Sequence, residues 1–245
     1  MLKKTKTFIK TKKNVNSLFR DITEGDRRSA IEDVISSSSP RKSFFVMITV
    51  SAILCTLGMI EGNAAVIIGG MLVAPMLSPI LAIAMGIGMA DFKLIYRSFR
   101  VVFLAILYSL GFSFLMALLL DSPDPDQLNS EMVLRVGVSL ETLLVSLVAG
   151  IAASLSIIRS ELHKYMAGIA IAVALIPPLS MSAIGLRMLD PNIFYQAFMQ
   201  FLFSLGGIIL SALVIFALSR FYISRKKVEE ELKEEEEMLK TEEKK

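Results

Sequence analysis

The sequence has no tryptophan, one cysteine and one histidine. A lone Cys55 excludes an intrachain disulfide, and its place inside an apolar run gives it a packing role. One His and one Cys cannot build a zinc site of the usual kind, so no metal or other cofactor is expected. Without Trp, an aromatic belt at a membrane interface has to come from tyrosine. Charge is scarce inside the long apolar runs. They hold no nucleophile elbow, no metal-ligand spacing and no carboxylate pair, so the chain is not expected to be an enzyme. No nucleic-acid partner is expected either.

What is present is apolar. Of 245 residues, 54% are hydrophobic and the mean hydropathy is +0.62, which points to a polytopic membrane protein with the lipid bilayer as its first partner. The net charge of +3 hides a segregation, with basic residues at the start and acidic ones at the end. About 43 polar residues precede the first apolar run, so a secretory signal is not expected.

Residues 1–43 form a basic arm with eleven Lys or Arg, and a short helix is expected from about Asn16 to Ile35. The arm reads as a solvated cytoplasmic segment. It also suits docking on anionic lipid, where each Lys or Arg near the surface contributes about 1 kcal/mol. Six apolar spans follow, at about Phe44–Ile60, Ala64–Met89, Val101–Leu120, Val136–Ile158, Tyr165–Leu186 and Ile193–Ser219. Each can cross roughly 30 Å of hydrocarbon. Residues 44–120 make a first transmembrane repeat, 121–135 an extracytoplasmic loop, 136–219 a second repeat and 220–245 a charged tail. The tail has helical charge spacing and too few apolar positions for a coiled coil.

Lys and Arg stay in the cytoplasm, and this sets the orientation. Lys93, Arg97 and Arg100 follow span two, Arg159 and Lys164 follow span four, and Arg220, Arg225, Lys226 and Lys227 follow span six. The remaining connections carry none, Arg135 alone and Arg187 alone. Both termini are therefore expected inside. Tyr96, Tyr165, Tyr195 and Tyr222 fall at interfaces.

Span two contains Ile67-Ile68-Gly69-Gly70-Met71-Leu72-Val73-Ala74-Pro75-Met76-Leu77-Ser78-Pro79-Ile80, apolar enough for a bilayer yet interrupted by two glycines and two prolines. Proline withholds an N–H and clashes with the carbonyl four residues earlier. In hydrocarbon the freed groups must find partners inside the protein. Span five echoes this from Gly168 to Leu179, with Pro177 and Pro178, so breaks are expected at Pro75–Pro79 and at Ile176–Pro178, facing each other near the bilayer midplane. A shift of 99 positions aligns the two without gaps, with eight identities across the 31 positions from Gly69 to Phe99. This reads as an internal duplication. Each half has three spans, so the second must cross in the opposite sense. The expected fold is an all-α membrane protein of six transmembrane helices, a 3+3 inverted-topology repeat with Pro-broken second and fifth helices. Lys93 and Arg97 align with Asn192 and Gln196, so the same polar face is basic in the half placed inside and neutral in the half placed outside.

Paired broken spans are a sequence pointer to a transporter site. The candidate pathway residues are Gly69, Gly70, Pro75, Ser78 and Pro79 in the first break, and Gly168, Pro177, Pro178, Ser180 and Ser182 in the second. The same Gly and Pro also suit close helix packing. Glu141, early in span four, is costly in a membrane unless paired or in a cavity. It reads either as a proton or cation carrier, or as an interfacial carboxylate reaching water or Arg135. Glu61 and Asn63 read as turn and cap residues, and Asp91 and Asp190 as N-caps.

The stretch Asn63 to Leu81 resembles the hallmark of the prokaryotic "hydrophobic domain" membrane proteins grouped as domain of unknown function 389. Gly168 to Pro178 is similar to that family's second motif, Gly-x-Ala-x-Ala-x-x-Leu-x-Pro-Pro. The resemblance covers about Pro40 to Phe221. It implies a bacterial or archaeal multi-pass protein of the inner membrane, and no particular substrate. The family often has an Asn early in the last span, and Ser204 stands there in this chain.

The leading functional expectation is a small transporter or channel for an unknown small solute or ion, with its pathway at the repeat interface and assembly as a homo-oligomer. The alternative is a non-transporting membrane scaffold or lipid-binding protein.

Overall fold

A computed structural model describes residues 22, 24–120, 125–219, 232–234 and 239. Most of the basic arm, residues 121–124 and most of the charged tail, including Tyr222 and the basic residues from Arg220 to Lys227, lie outside the described residues.

The described chain is helical throughout. Helix α1 is Glu24–Ser37, α2 is Lys42–Ile60, α3 is Ala64–Val73, α4 is Leu77–Met89 and α5 is Phe92–Leu119. A short α6, Ser130–Val133, leads to α7, Leu140–Ile158. A 3₁₀ segment, Ser160–Tyr165, leads to α8, Met166–Val173, then α9, Ile176–Arg187, and α10, Pro191–Leu218. Five apolar segments are long enough to cross a membrane, and the α3–α4 pair makes a sixth if its bend of 52° is counted within one span. Large side chains such as Phe103, Leu118, Val148, Leu210 and Val214 point outward and are exposed. Apolar faces of that extent belong against lipid, so this is a multi-pass membrane protein.

Local chemistry explains the boundaries. Gly62 turns the chain at a φ of +65°, and the Asn63 side chain accepts from the N–H groups of Ala65 and Val66 to start α3. Pro75 disfavours the helical region for the residue before it. Ala74 accordingly sits at φ −72° and ψ 117°, and α3 ends there. Pro79 then falls at the third position of α4, where a helix leaves its N–H unpaired anyway. In the second half Pro177 and Pro178 occupy the second and third positions of α9, and Ala174 takes a left-handed φ of 39°. Both breaks therefore lie just ahead of where the sequence placed them. They are Ala74–Met76 rather than Pro75–Pro79, and Ala174–Leu175 rather than Ile176–Pro178. The prolines act on the residues before them.

Two other boundaries differ. The amphipathic stretch Asp91–Arg100 and the third span are one helix, α5, because Asp91 caps its start and nothing interrupts it afterwards. At about 1.5 Å per residue its 28 residues exceed the hydrocarbon thickness, so its first turns lie at the interface. The fourth span begins at Leu140, where Ser139 caps it, not at Val136.

The halves share local structure at the 99-residue offset. Helices α5 and α10 each have 28 residues and start and end in register. The Asp91 carboxylate accepts from Lys93 and Leu94, and that of Asp190 from Asn192 and Ile193. Ala90 and Leu189 are both left-handed, at φ 52° and 56°. Gly86 and Gly185 let the next helix pass. A Cβ at Gly86 would lie 2.8 Å from Ile95 Cγ1, and one at Gly185 would lie 2.8 Å from the Phe194 nitrogen. Packing is also exchanged: α5 lies on α9 while α10 lies on α4, and α3 meets α8.

The Asp caps allow a stability test. Asp91→Ala and Asp190→Ala should each cost about 1 kcal/mol. Asp91 should cost more, because it is only 4% exposed and the Leu94 N–H that it caps is buried. Melting curves of the two singles and the double in detergent check this, with the sum expected for such distant sites.

The two poles are distinct. At one pole Arg97 donates to Ser39 Oγ at 3.0 Å, Arg27 Nε donates to the Ser219 carbonyl at 3.0 Å, and His163 faces Asp33 at 3.7 Å. Helix α1 and the turn that follows it thus tie together the ends of the second, fourth and sixth apolar segments. At the other pole Asn129 Nδ2 donates to the Met59 carbonyl at 2.6 Å, joining the α6 entry to the end of α2.

Candidate functional site

The second break opens onto a cavity of about 470 Å³. Its floor is Ala174 and Pro178, at the join of α8 and α9. Helix α7 supplies Glu141, Thr142 and Ser146, and α10 supplies Gln200 and Ser204. Arg135 comes from the connection ahead of α7, and Ile68 and Met71 from α3 close the far wall.

Backbone geometry puts these groups there. Gln200 and Ser204 are one turn apart on α10, so both point the same way. One turn further, Gly207 lets Ser146 of α7 approach, and reciprocally Gly150 of α7 receives Ser211 and Ile208 of α10. Small residues bring the two helices together below the cavity.

The polar groups are unequally satisfied. Gln200 is 6% exposed, and its Nε2 donates to the Leu134 carbonyl at 3.3 Å. Its Oε1 is buried without a hydrogen-bond partner among the described residues. The Leu134 carbonyl fixes this amide orientation, because a flipped amide would set two oxygens against each other. Arg135 reaches Glu131 at 3.8 Å through Nη2, and its Nε is buried with no partner among the described residues. Unmet buried groups of this kind cost about 1–3 kcal/mol each unless water or a ligand meets them.

Only part of the sequence-derived set reaches this cavity. Pro178 and Glu141 line it. Glu141 is exposed at the rim, and the acidic neighbour of Arg135 is Glu131, not Glu141. Ser180 is fully buried and accepts from Ser113 Oγ at 2.9 Å, so it joins α9 to α5. Ser182 donates to the Pro178 carbonyl at 2.8 Å within its own helix. Pro177 is buried. In the first half Gly70 is packed under α2, where a Cβ would lie 2.7 Å from Cys55 Sγ, and Ser51 Oγ donates to the Gly70 carbonyl at 2.7 Å. Gly69 faces open space, and Pro75 and Ser78 are half-buried while Pro79 is buried. Gly168 lines a separate apolar groove of about 660 Å³ between α7 and α8. The two breaks do meet. Ala74, Met76 and Leu77 face Val173, Leu175 and Ile176 around an apolar gap of about 20 Å³.

Sequence reasoning missed Arg135 and Gln200 as cavity residues. Gln200 carried a signal: an amide four residues before Ser204, seven before Gly207 and eleven before Ser211, on one helical face.

Comparison with known proteins fits this description. The chain is 30% identical over 182 residues to an uncharacterized protein of Methanocaldococcus jannaschii, an alignment that takes in 72% of this chain and 54% of the relative. The chain thus spans about half the length of the curated relative it matches. No solved structure matches. The model of the family described as a domain of unknown function, DUF389, matches residues 71–210, which run from the end of α3 through both breaks and deep into α10. With more than half of its length matched, including the whole of α7, α8 and α9, the chain belongs to the DUF389 family.

Proposed function

We propose that the protein is a small-solute carrier whose pathway runs between two inverted three-span repeats. One observation supports this above the rest: a polar cavity of about 470 Å³ descends to the second helix break, while the gap beyond it, between the breaks, is apolar and holds only about 20 Å³. A cavity that ends at a broken helix suits alternating access, with the site reached from one side at a time. A permanently open channel would need a continuous passage. The exchanged packing of α5 with α9 and α10 with α4 supports a two-fold relation of the halves. Three spans per half make that relation an inversion.

The proposal places the α1 pole in the cytoplasm. Arg27, Arg97 and Lys164 gather there, and basic residues are retained inside. The cavity rim at Arg135 and Glu141 is then extracytoplasmic. A membrane-impermeant thiol reagent should label a cysteine at position 124 in intact cells, and one at position 227 only after permeabilisation, both in a Cys55→Ala background. The reverse pattern would invert the orientation. Transport itself is tested by flux into proteoliposomes of the purified protein across a panel of amino acids, organic acids, amines and inorganic ions. Absence of flux above empty vesicles for every solute would leave the scaffold reading.

A further inference from the structure

The second half opens a groove that the first half closes. Helices α2 and α3 pack tightly at two glycines. A Cβ at Gly58 would lie 2.8 Å from Ile67 Cγ1, and one at Gly70 would lie 2.7 Å from Cys55 Sγ. At the 99-residue offset these positions are Ile157 in α7 and Ile169 in α8. Branched side chains at both places bar so close an approach, and Ile169 lines the groove of about 660 Å³ left between the two helices. Val148 and Ala152 of α7 and Gly168 of α8 form its walls, and Lys164 and Tyr165 stand at its mouth, just ahead of α8. Val173 is the only buried residue of α8, so little protein covers this half-helix.

The depth and charge of the groove select its occupant. Helix α8 leads from the α1 pole, where His163 faces Asp33, towards the second break. From Tyr165 to Ala172 the groove descends about 10 Å at 1.5 Å per residue, within one leaflet of about 15 Å. A spanning helix of a second copy would need a seat of about 30 Å. All the lining below Tyr165 is apolar. The one charged group is Lys164, whose ammonium lies over the Tyr165 ring at 5.2 Å and has no ion pair or hydrogen bond among the described residues. An apolar slot within one leaflet, topped by a tyrosine and an ammonium group, matches the chain, interface and anionic headgroup of a lipid in that order. We propose that this groove holds an acyl chain of an anionic phospholipid from the leaflet at the α1 pole, with Lys164 at its headgroup. Val145 and Ala172 line both the groove and the polar cavity, so the bound chain backs the cavity wall.

The test uses the full chain in phosphatidylcholine nanodiscs. The protein has no tryptophan, so Tyr165→Trp supplies a single reporter at the groove mouth. A growing fraction of the lipid is replaced by phosphatidylglycerol or phosphatidylcholine brominated on its acyl chains, which quench indole fluorescence on contact. Half-maximal quenching should need about fivefold less brominated phosphatidylglycerol than brominated phosphatidylcholine, the preference expected of one lysine beside an anionic headgroup. Lys164→Gln should abolish that preference. So should Gly168→Phe, which fills the groove from a position where a Cβ would meet nothing within 4 Å. A reporter made by Tyr195→Trp, exposed and outside the groove, should show no preference. If Gly168→Phe does not fold, Val148→Phe takes its place, at a wall residue that is 65% exposed. Equal quenching by the two lipids at position 165 overturns the inference, because the groove then holds ordinary surrounding lipid. A preference that survives the filling variants also overturns it, and assigns the anionic lipid to the basic arm. Little quenching by either lipid, with two chains per nanodisc, would make the groove an interface between copies.

Discussion

Replacing Gln200 with leucine is expected to reduce solute flux in proteoliposomes at least tenfold while leaving the melting temperature unchanged or raised. The two halves of this expectation have one cause. Gln200 is buried, yet half of its amide is unmet within the described chain. An unpaired buried acceptor costs about 1–3 kcal/mol, and removing it for an apolar group of similar shape is neutral or stabilising. The bond given up, to the Leu134 carbonyl, is long at 3.3 Å and sets little against that gain. The first half of the chain gives a precedent: at the 99-residue offset Gln200 corresponds to Val101, buried at 2% exposure, and Ser204 to Ala105. The fold therefore accepts apolar side chains at this place on the helix. On the proposed carrier reading, a residue that costs the fold stability at this place serves the pathway rather than the fold. Loss of 1–3 kcal/mol of ligand interaction corresponds to roughly 5–150-fold in affinity, so a tenfold loss of flux at subsaturating solute is well within reach. Unchanged flux with a raised melting temperature would remove Gln200 from the pathway. A large fall in melting temperature would make it a structural residue.

The sequence carried the scaffold further than the site. Interrupted apolar runs, the 99-residue offset and the aspartates at 91 and 190 are local signals, and local chemistry decides them. The Asp side chains do cap, and Asn63 does start α3. The breaks were displaced by two or three residues, because proline's main effect at a helix start falls on the residues before it. The site was harder for a different reason. Ser180 and Ser182 sit beside the second break in sequence, but a helix turns 100° per residue, and their hydroxyls go to α5 and to the backbone. Arg135 and Gln200 lie 65 positions apart and meet only because Gly150 and Gly207 draw α7 and α10 together below them. Such convergence is a tertiary property, and no period within a single helix reports it.

Mending the breaks should have the other large effect, and the structure shows which prolines to change. Pro79→Ala alone should do little. Pro79 stands at the third position of α4, and Ala74 would still be held extended by Pro75. Pro75→Ala frees Ala74 to become helical, so α3 can run on past its present end, but Pro79 would still withhold a donor from the residue-75 carbonyl, so the 52° bend relaxes only in part. In the second half a single change is again insufficient, because Pro177 and Pro178 withhold donors from two successive carbonyls, those of Val173 and Ala174, which lie four residues earlier. The double variant Pro177→Ala/Pro178→Ala restores both donors. Proline in a helix interior is about 3 kcal/mol worse than alanine, so the bias towards a continuous α8–α9 helix is large. It is reinforced by release of the left-handed strain at Ala174, whose φ is 39°. Hydrogen exchange should report the mending directly, as protected new amides at residues 177 and 178, which have no N–H in the parent chain, and as slower exchange at their neighbours. Flux should fall at least tenfold in the double variant, because a straight helix carries Ala174 and Pro178 away from the cavity floor that they now form. Pro75→Ala should be milder, since the first break meets the second only across the small apolar gap and does not line the cavity. Normal flux from a double variant with slowed exchange would make the breaks packing features, and the pathway would then have to run elsewhere.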